Sequence, residues 1–266
     1  MHVIAVDLNW KPQGEAAVVE VDTHGTATWG FYTFPEELVE YAATTPDSLV
    51  LLDIPIHGLD ALHDHHFRPV DKALQSVGIP LRPSTSAGRL GIQLARRITS
   101  EAGVPSARVR EIYPYAVYKV LHYLREHGAL KFLARPGATP LLDRDFGAHW
   151  PLPYKRNSKR GTRRQGMREL YTLLTDGDIG LRFQTPLPTP DGGAYSQKRL
   201  TDVYDAALGA VLGLHLLRAD GWAVVKGDTK SGDLALLADT WLAERIDGFL
   251  SADHPTADKG GAPWRP

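Results

Sequence analysis

The feature that most constrains the fold is a segment whose apolar residues leave it no polar face. Residues Ser196 to Arg218 are predicted to form a helix, and the stretch from Ala206 to Leu217 is apolar nearly all round. A helix of this kind has to be buried, so other elements must cover it from several sides. No segment approaches about 18 consecutive apolar residues, so we expect no membrane span.

Short apolar runs elsewhere predict a mixed sheet. Val3–Leu8 and 49–54 are nearly continuous apolar runs, as is typical of strands buried on both faces. Between them, Ala16–Val21 and Thr26–Phe34 flank turn residues and predict a hairpin. We therefore predict an antiparallel meander of three strands, a short helix, and then a strand parallel to the first.

The remaining elements complete a single α/β domain over residues 1–252. Further helices are predicted at Val70–Val77, Leu90–Ala102, Tyr115–His127, Met167–Leu174 and Leu234–Phe249, and further strands at Ala107–Tyr113 and Trp222–Lys226. Residues 57–106 are predicted to be a helical insertion, 134–165 a long basic loop, and 253–266 a flexible tail.

Composition excludes several classes of site. The 266 residues include no cysteine, which excludes disulfides, thiolate zinc sites and cysteine nucleophiles. With 30 basic and 31 acidic residues the net charge is −1, unlike that of a wholly basic nucleic-acid binder. Because Asp7 interrupts the first apolar run, we expect no signal peptide and a cytoplasmic location.

Carboxylates follow the buried strands and head the buried helix. Asp7 and Asp53 end neighbouring strands, which puts them about 5 Å apart at the sheet edge where α/β proteins place ligands. Glu111 ends the possible fifth strand, and Asp202 and Asp205 share one helix face. Ionised carboxylates this close need cations, and all-oxygen ligands favour Mg²⁺ or Mn²⁺. The structural alternative is that a strand-end aspartate begins a turn and Asp202 complements the helix dipole.

Several short motifs also resemble known families. The segments Ile4–Asp7, Leu52–Ile56 and Asp202–Ala206 resemble the ribonuclease H-like superfamily, and the last of them resembles the closing helix of RuvC-type Holliday-junction resolvases. Ile54–Ile56, Arg68–Asp71, Glu111–Pro114 and Tyr154–Lys155 resemble family 429 of the domains of unknown function, whose members are predicted nucleases of ribonuclease H-like fold.

The resemblance spans roughly residues 2–226 and implies a metal-binding set. This set consists of Asp7, Asp53 and Asp205, with Asp202 and Glu111 as further candidates. The relatives often carry a glycine beside the first aspartate, and none flanks Asp7 here. This departure weakens a phosphate-loop or ATPase-like function more than a two-metal one.

One segment carries a local positive charge. The basic residues proposed to contact nucleic acid are Lys155, Arg156, Lys159, Arg160, Arg163, Arg164 and Arg168. Residues 146–168 therefore carry +7, and the rest of the chain, with 23 basic and 31 acidic residues, carries −8. Such segments bind phosphate backbones, and Phe146, Trp150 and Tyr154 are candidates to stack on unpaired bases. Alternatively the segment is a solvated loop, or Lys155 points into the carboxylate site and stabilises transition-state charge.

A histidine patch is less informative. It consists of His57, His63, His65 and His66 with Asp60 and Asp64. The spacing fits no helical histidine pair, so a surface patch or a single general base is favoured over a metal site. Arg68 and Asp71 are interpreted as a structural ion pair.

The favoured function is a Mg²⁺- or Mn²⁺-dependent nuclease. The chain has no nucleophile elbow, phosphate-binding P-loop or dinucleotide fingerprint. Two alternatives stay open, which are a non-catalytic nucleic-acid-binding module and a phosphohydrolase or transferase acting on a small phosphorylated metabolite. The choice between DNA and RNA, and the oligomeric state, are also open.

Overall fold

A computed structural model of the chain describes residues 1–8, 14–58, 60, 67–81, 85–134, 141–155 and 160–253. The strands are β1 (His2–Asp7), β2 (Glu15–Asp22), β3 (Thr26–Thr33), β4 (Leu49–Leu52), β5 (Val109–Glu111), β6 (Arg182–Phe183), β7 (Ala223–Asp228) and β8 (Gly232–Leu237). The helices are α1 (Glu36–Thr44), α2 (Pro69–Ser76), α3 (Thr85–Ser100), α4 (Pro114–Glu126), α5 (Arg160–Leu174), α6 (Gln197–Arg218) and α7 (Thr240–Asp253).

The main sheet has six strands in the order β5-β4-β1-β2-β3-β6. Strands β1, β2 and β3 pair antiparallel, whereas β4 runs parallel to β1 and β5 runs parallel to β4. The predicted meander followed by parallel strands is therefore confirmed, as is the α/β class. Strands β7 and β8 form a separate hairpin, which meets the main sheet through a bridge between Ile112 and Ala235.

Both faces of the central strands of the main sheet, β1, β2 and β4, are largely buried. Along β1, Val3 and Ala5 face the core cluster that contains α6, whereas Ile4 and Val6 face the cluster that contains residues of α1 and α3. Successive side chains of a strand point to opposite faces, so this division explains the continuous apolar run in β1. Helix α3 thus belongs to one of the two layers, although it lies in the predicted insertion 57–106.

Helix α6 packs directly on β1 because glycines let the two backbones approach. A Cβ atom on Gly213 would lie 2.3 Å from Val3 Cγ1, and one on Gly209 would lie 3.0 Å from Ala5 Cβ. Four helical residues rise about 6 Å, close to the length of two strand residues. Continuing this register by one step places Asp205 opposite the end of β1.

By length and composition α6 could also cross a membrane, but 89% of its most apolar 18-residue window is buried inside the protein. Sixteen of its residues are buried, including the whole run from Val203 to Leu217. The prediction that this helix is covered on all sides is confirmed. Because α6 is buried, it holds the Asp205 carboxylate at a fixed position at the edge of the sheet.

Two predicted elements differ from the structure. Residues 234–237 belong to strand β8 rather than to a helix, and α7 begins at Thr240. All six residues of β8 are buried, and periodicity cannot distinguish a fully buried strand from a buried helix. The predicted loop 134–165 ends earlier than expected, because α5 begins at Arg160. The predicted tail lies outside the described residues from position 254 onward.

Candidate metal-binding site

Three aspartates from three elements converge at the carboxyl ends of β1 and β4. Asp7 is the last residue of β1, Asp53 follows β4, and Asp205 lies in α6. The amide of Asp53 donates to the Val6 carbonyl at 3.0 Å, so pairing of the two strands holds Asp53 beside Asp7. One carboxylate oxygen of each aspartate lies within 4.8 Å of the others. Among the described residues, this is the one group of three or more acidic or histidine side chains with the spacing of a metal site.

Burial and mutual repulsion perturb these carboxylates. Asp7 is 8% exposed and Asp205 is 2% exposed. Burial, followed by the charges of Asp205 and Asp53, raises the pKa of Asp7 well above its ordinary value. Burial also raises the pKa of Asp53 to about 7, although Lys155 opposes the shift. Asp7 and Asp53 therefore retain protons where isolated aspartates would be ionised.

Both oxygens of Asp205 are engaged by the segment that precedes α5. The hydroxyl of Tyr154 donates to Oδ1 at 2.6 Å, and the ammonium of Lys155 lies 2.9 Å from Oδ2. Burial lowers the pKa of Lys155, but the surrounding carboxylates, led by Asp205, outweigh burial and raise it. Lys155 thus lies in the site as a counter-cation, while Tyr154 fixes the orientation of Asp205.

Asp202 lies beside the cluster rather than within it. Its charge contributes to the raised pKa of Asp7, and Lys198 contacts it at 2.7 Å. Burial raises the pKa of Asp202 even though Lys198 lowers it. The Asp202 carboxylate is therefore close enough to support Asp7, and it is already paired with a lysine of its own helix.

Glu111 is held away from the three aspartates in a separate buried network. Arg68 is fully buried, and its guanidinium donates to both oxygens of Glu111 and to both oxygens of Asp71. The Ile56 amide also donates to Glu111, at 3.2 Å. Burial raises the pKa of Glu111 to about 7 despite the opposing effect of Arg68. The expected Arg68–Asp71 pair is present, and Arg68 engages both oxygens of Glu111 as well.

Of the predicted nucleic-acid contacts, Lys155 lies in the carboxylate site, and the others that are described in full lie on α5. Arg164 and Arg168 are 64% and 58% exposed, and both reach Asp191, at 3.8 Å and 2.8 Å. Arg163 lies on the same helix. Arg156 and Lys159 fall outside the described residues, and for Arg160 the backbone alone is described. Four of the seven basic residues therefore belong to a helix rather than to a loop, and Asp191 neutralises part of their charge.

The aromatic residues near the basic segment have different environments. Phe146 and Tyr154 are 0% and 1% exposed, so the expectation that they stack on bases is wrong. Trp150 is 57% exposed. Sequence reasoning missed the contact between Tyr154 and Asp205. The adjacency of Tyr154 to Lys155 was the available signal.

His57 is the described histidine of the predicted patch. Its Nδ1 contacts the buried carboxylate of Asp233, and its side chain lines a pocket of about 850 Å³ with Arg96 and Lys230. Asp60 lines the same pocket. The other members, His63, Asp64, His65 and His66, lie outside the described residues. Asp233 comes from β8, a partner that the sequence spacing did not indicate.

Comparison with protein-family models, with curated proteins and with solved structures finds no match to this chain. What bears on function is therefore the arrangement of the side chains. Three carboxylates lie at metal-ligand spacing, one ammonium partly neutralises them, and a basic helix follows in the chain.

Proposed function

We propose that the chain is a metal-dependent nuclease of ribonuclease H-like fold, which hydrolyses phosphodiester bonds in nucleic acid with Mg²⁺ or Mn²⁺. The convergence of Asp7, Asp53 and Asp205 within 4.8 Å carries this proposal. The sheet order, with a meander followed by parallel strands, supports the fold assignment. The motif resemblance to family 429 of the domains of unknown function points the same way.

The donor set fits a hard divalent cation. All three ligands are carboxylate oxygens, which suit Mg²⁺ and Mn²⁺ rather than zinc or copper. Two ionised carboxylates 4 Å apart repel each other by about 4 kcal/mol at an effective dielectric constant near 20. When bound, such ions activate water and stabilise the leaving oxygen of a phosphodiester. Asp202, which lies three residues before Asp205 on the same helix and whose charge acts on Asp7, is the proposed fourth member of the set.

The chain's own residues orient the site and its substrate. Tyr154 holds Asp205 by a hydrogen bond from a buried hydroxyl, so the carboxylate keeps one orientation. The side chain of Lys155 is 45% exposed and its ammonium lies 2.9 Å from Asp205, so Lys155 can contact a substrate phosphate beside the carboxylates. The arginines of α5 provide additional positive charge for the strand that carries this phosphate.

The central test is Asp7→Asn. Purified protein with Mn²⁺ should cleave single-stranded or branched DNA or RNA, and the variant should lose more than about 100-fold of that activity because a ligand charge is gone. The matched control is Asp47→Asn, which removes the same charge from a side chain that is 90% exposed and should cleave normally. Thermal stabilisation by Mn²⁺ should be lost in Asp7→Asn alone.

Other outcomes would contradict the proposal. Equal cleavage by Asp7→Asn and the wild-type protein would remove the carboxylates from the reaction. Salt-dependent nucleic-acid binding without hydrolysis, and without stabilisation by Mn²⁺, would identify a binding module instead. If a mononucleotide competed for the site as effectively as a long nucleic-acid strand, a small phosphorylated metabolite would be favoured as the substrate.

A further inference from the structure

One aromatic side chain near the carboxylate site is both exposed and held in place. Among the described residues, only Met1 and Trp150 leave a large apolar side chain exposed, and Trp150 is the more exposed, at 57%. Its position, five residues before Lys155, ties it to the basic segment rather than to a distant surface.

The indole of Trp150 is supported from one side by a buried lysine. The ammonium of Lys119 lies 4.5 Å from the ring centroid, and the Lys119 side chain is fully buried. This ammonium also donates to the carbonyls of Gly78 and Gly147. A cation fixed by two carbonyls holds the ring in place through a cation–π contact. A base that stacks on the ring therefore meets an ordered surface, which lowers the entropic cost of binding.

The segment after Trp150 leads directly to the carboxylates. Pro151 and Pro153 restrict its backbone, and at about 3.3 Å per residue Lys155 lies at most about 17 Å from Trp150. A Cβ on Gly166 would lie 2.6 Å from the Pro153 carbonyl, so α5 packs against this segment. Trp150 is thus within about 17 Å of Lys155, at the start of a segment that contacts the basic helix and ends in the site.

We propose that Trp150 is a stacking subsite for an unpaired base, in the same strand whose phosphate reaches Lys155 and the carboxylates. The assignment of the ligand to nucleic acid rests on the proposed function. The exposed face of the indole selects an unpaired base, because a base inside a duplex is already stacked on its neighbours. The substrate class that follows is single-stranded or locally unpaired nucleic acid.

The test measures binding without metal, so that cleavage does not enter. Fluorescence anisotropy in EDTA measures binding by the wild-type, Trp150→Ala and Trp150→Phe proteins. The labelled ligands are oligothymidine and oligouridine of about 12 nucleotides and a blunt duplex. Trp150→Ala should weaken single-strand binding about 10-fold to 100-fold, while Trp150→Phe should retain most of it. The dependence on salt should keep its slope, because no phosphate contact is removed.

The results separate this subsite from the nuclease activity. The subsite proposal would be overturned if Trp150→Ala bound single strands as tightly as the wild-type protein does. It would also be overturned if the substitution weakened binding to the duplex as much as binding to single strands, or if the wild-type protein bound neither. Mn²⁺-dependent cleavage that survives such a result would leave the nuclease proposal intact. Conversely, if the affinities follow the expected pattern but the wild-type protein does not cleave nucleic acid with Mn²⁺, the subsite proposal stands and the nuclease proposal is rejected. As a control for folding, Trp150→Ala should have the same thermal denaturation midpoint as the wild-type protein.

Discussion

At the scale of single residues, the candidate site makes the metal-free protein less stable. The pKa of Asp53 is about 7 in the folded protein, against 3.8 for an unperturbed aspartate. A carboxyl whose pKa is raised by folding binds its proton more tightly in the native state than in the unfolded state. Its contribution to stability is therefore greatest below about pH 4 and is lost as the pH rises through about 7. Divalent metal should reverse this trend, since it replaces the protons and binds more tightly as they leave.

Replacing Asp53 by asparagine should accordingly stabilise the metal-free protein at alkaline pH. We expect Asp53→Asn to raise the free energy of unfolding by about 1–2 kcal/mol at pH 8, with no gain near pH 4. Urea denaturation in EDTA at both pH values measures the difference. With Mn²⁺ present the order should invert, because the wild-type protein alone keeps its full ligand set. A variant that is no more stable at pH 8 would show that repulsion and burial do not perturb Asp53.

At the scale of elements, the sequence predicted the strands and the buried helix but not how they contact one another. Apolar runs locate β1 and α6, and Asp7 and Asp205 could be named because each ends or heads such a run. The sequence did not predict the register of α6 on β1, since it depends on two glycines that meet particular strand residues. The sequence also did not indicate the pairing of Glu111 with Arg68, because the two residues lie 43 positions apart.

The close packing of α6 on β1 can be tested at Gly213. An added Cβ would lie 2.3 Å from Val3 Cγ1 and 2.9 Å from a Leu51 methyl. Both distances are shorter than van der Waals contact, so the added methyl group would clash with the sheet. We expect Gly213→Ala to lower the free energy of unfolding by about 1–3 kcal/mol and to weaken Mn²⁺ binding, because the helix that carries Asp205 must shift.

The matched control is Gly248→Ala in α7, where a Cβ would meet nothing within 4 Å. This change should be neutral or stabilising by up to about 1 kcal/mol, since alanine is the better helix former. Thermal denaturation with and without Mn²⁺ compares the two variants. If Gly213→Ala is as stable as Gly248→Ala, the glycine contacts do not set the distance between helix and sheet.

At the scale of the whole molecule, the near-zero net charge results from cancellation between regions. Residues 146–168 carry +7 against −8 for the remainder. The structure places part of this positive charge on the exposed surface of α5, where Arg164 and Arg168 share the carboxylate of Asp191. Any contact with a polyanion must therefore be local, and Asp191 competes with the phosphates for two of the arginines.

This competition predicts that Asp191→Asn strengthens nucleic-acid binding. Loss of the carboxylate frees Arg164 and Arg168 for phosphates, so affinity should rise several-fold at low salt and the log–log slope against salt should steepen by about 1. Fluorescence anisotropy over a salt series measures both quantities. Glu244→Gln on the exposed surface of α7 removes the same charge elsewhere, and it should leave the slope unchanged. If the two variants behave alike, only the net charge of the protein affects binding, and α5 does not contact the phosphates of the nucleic acid. Lys155 would then be the main phosphate ligand.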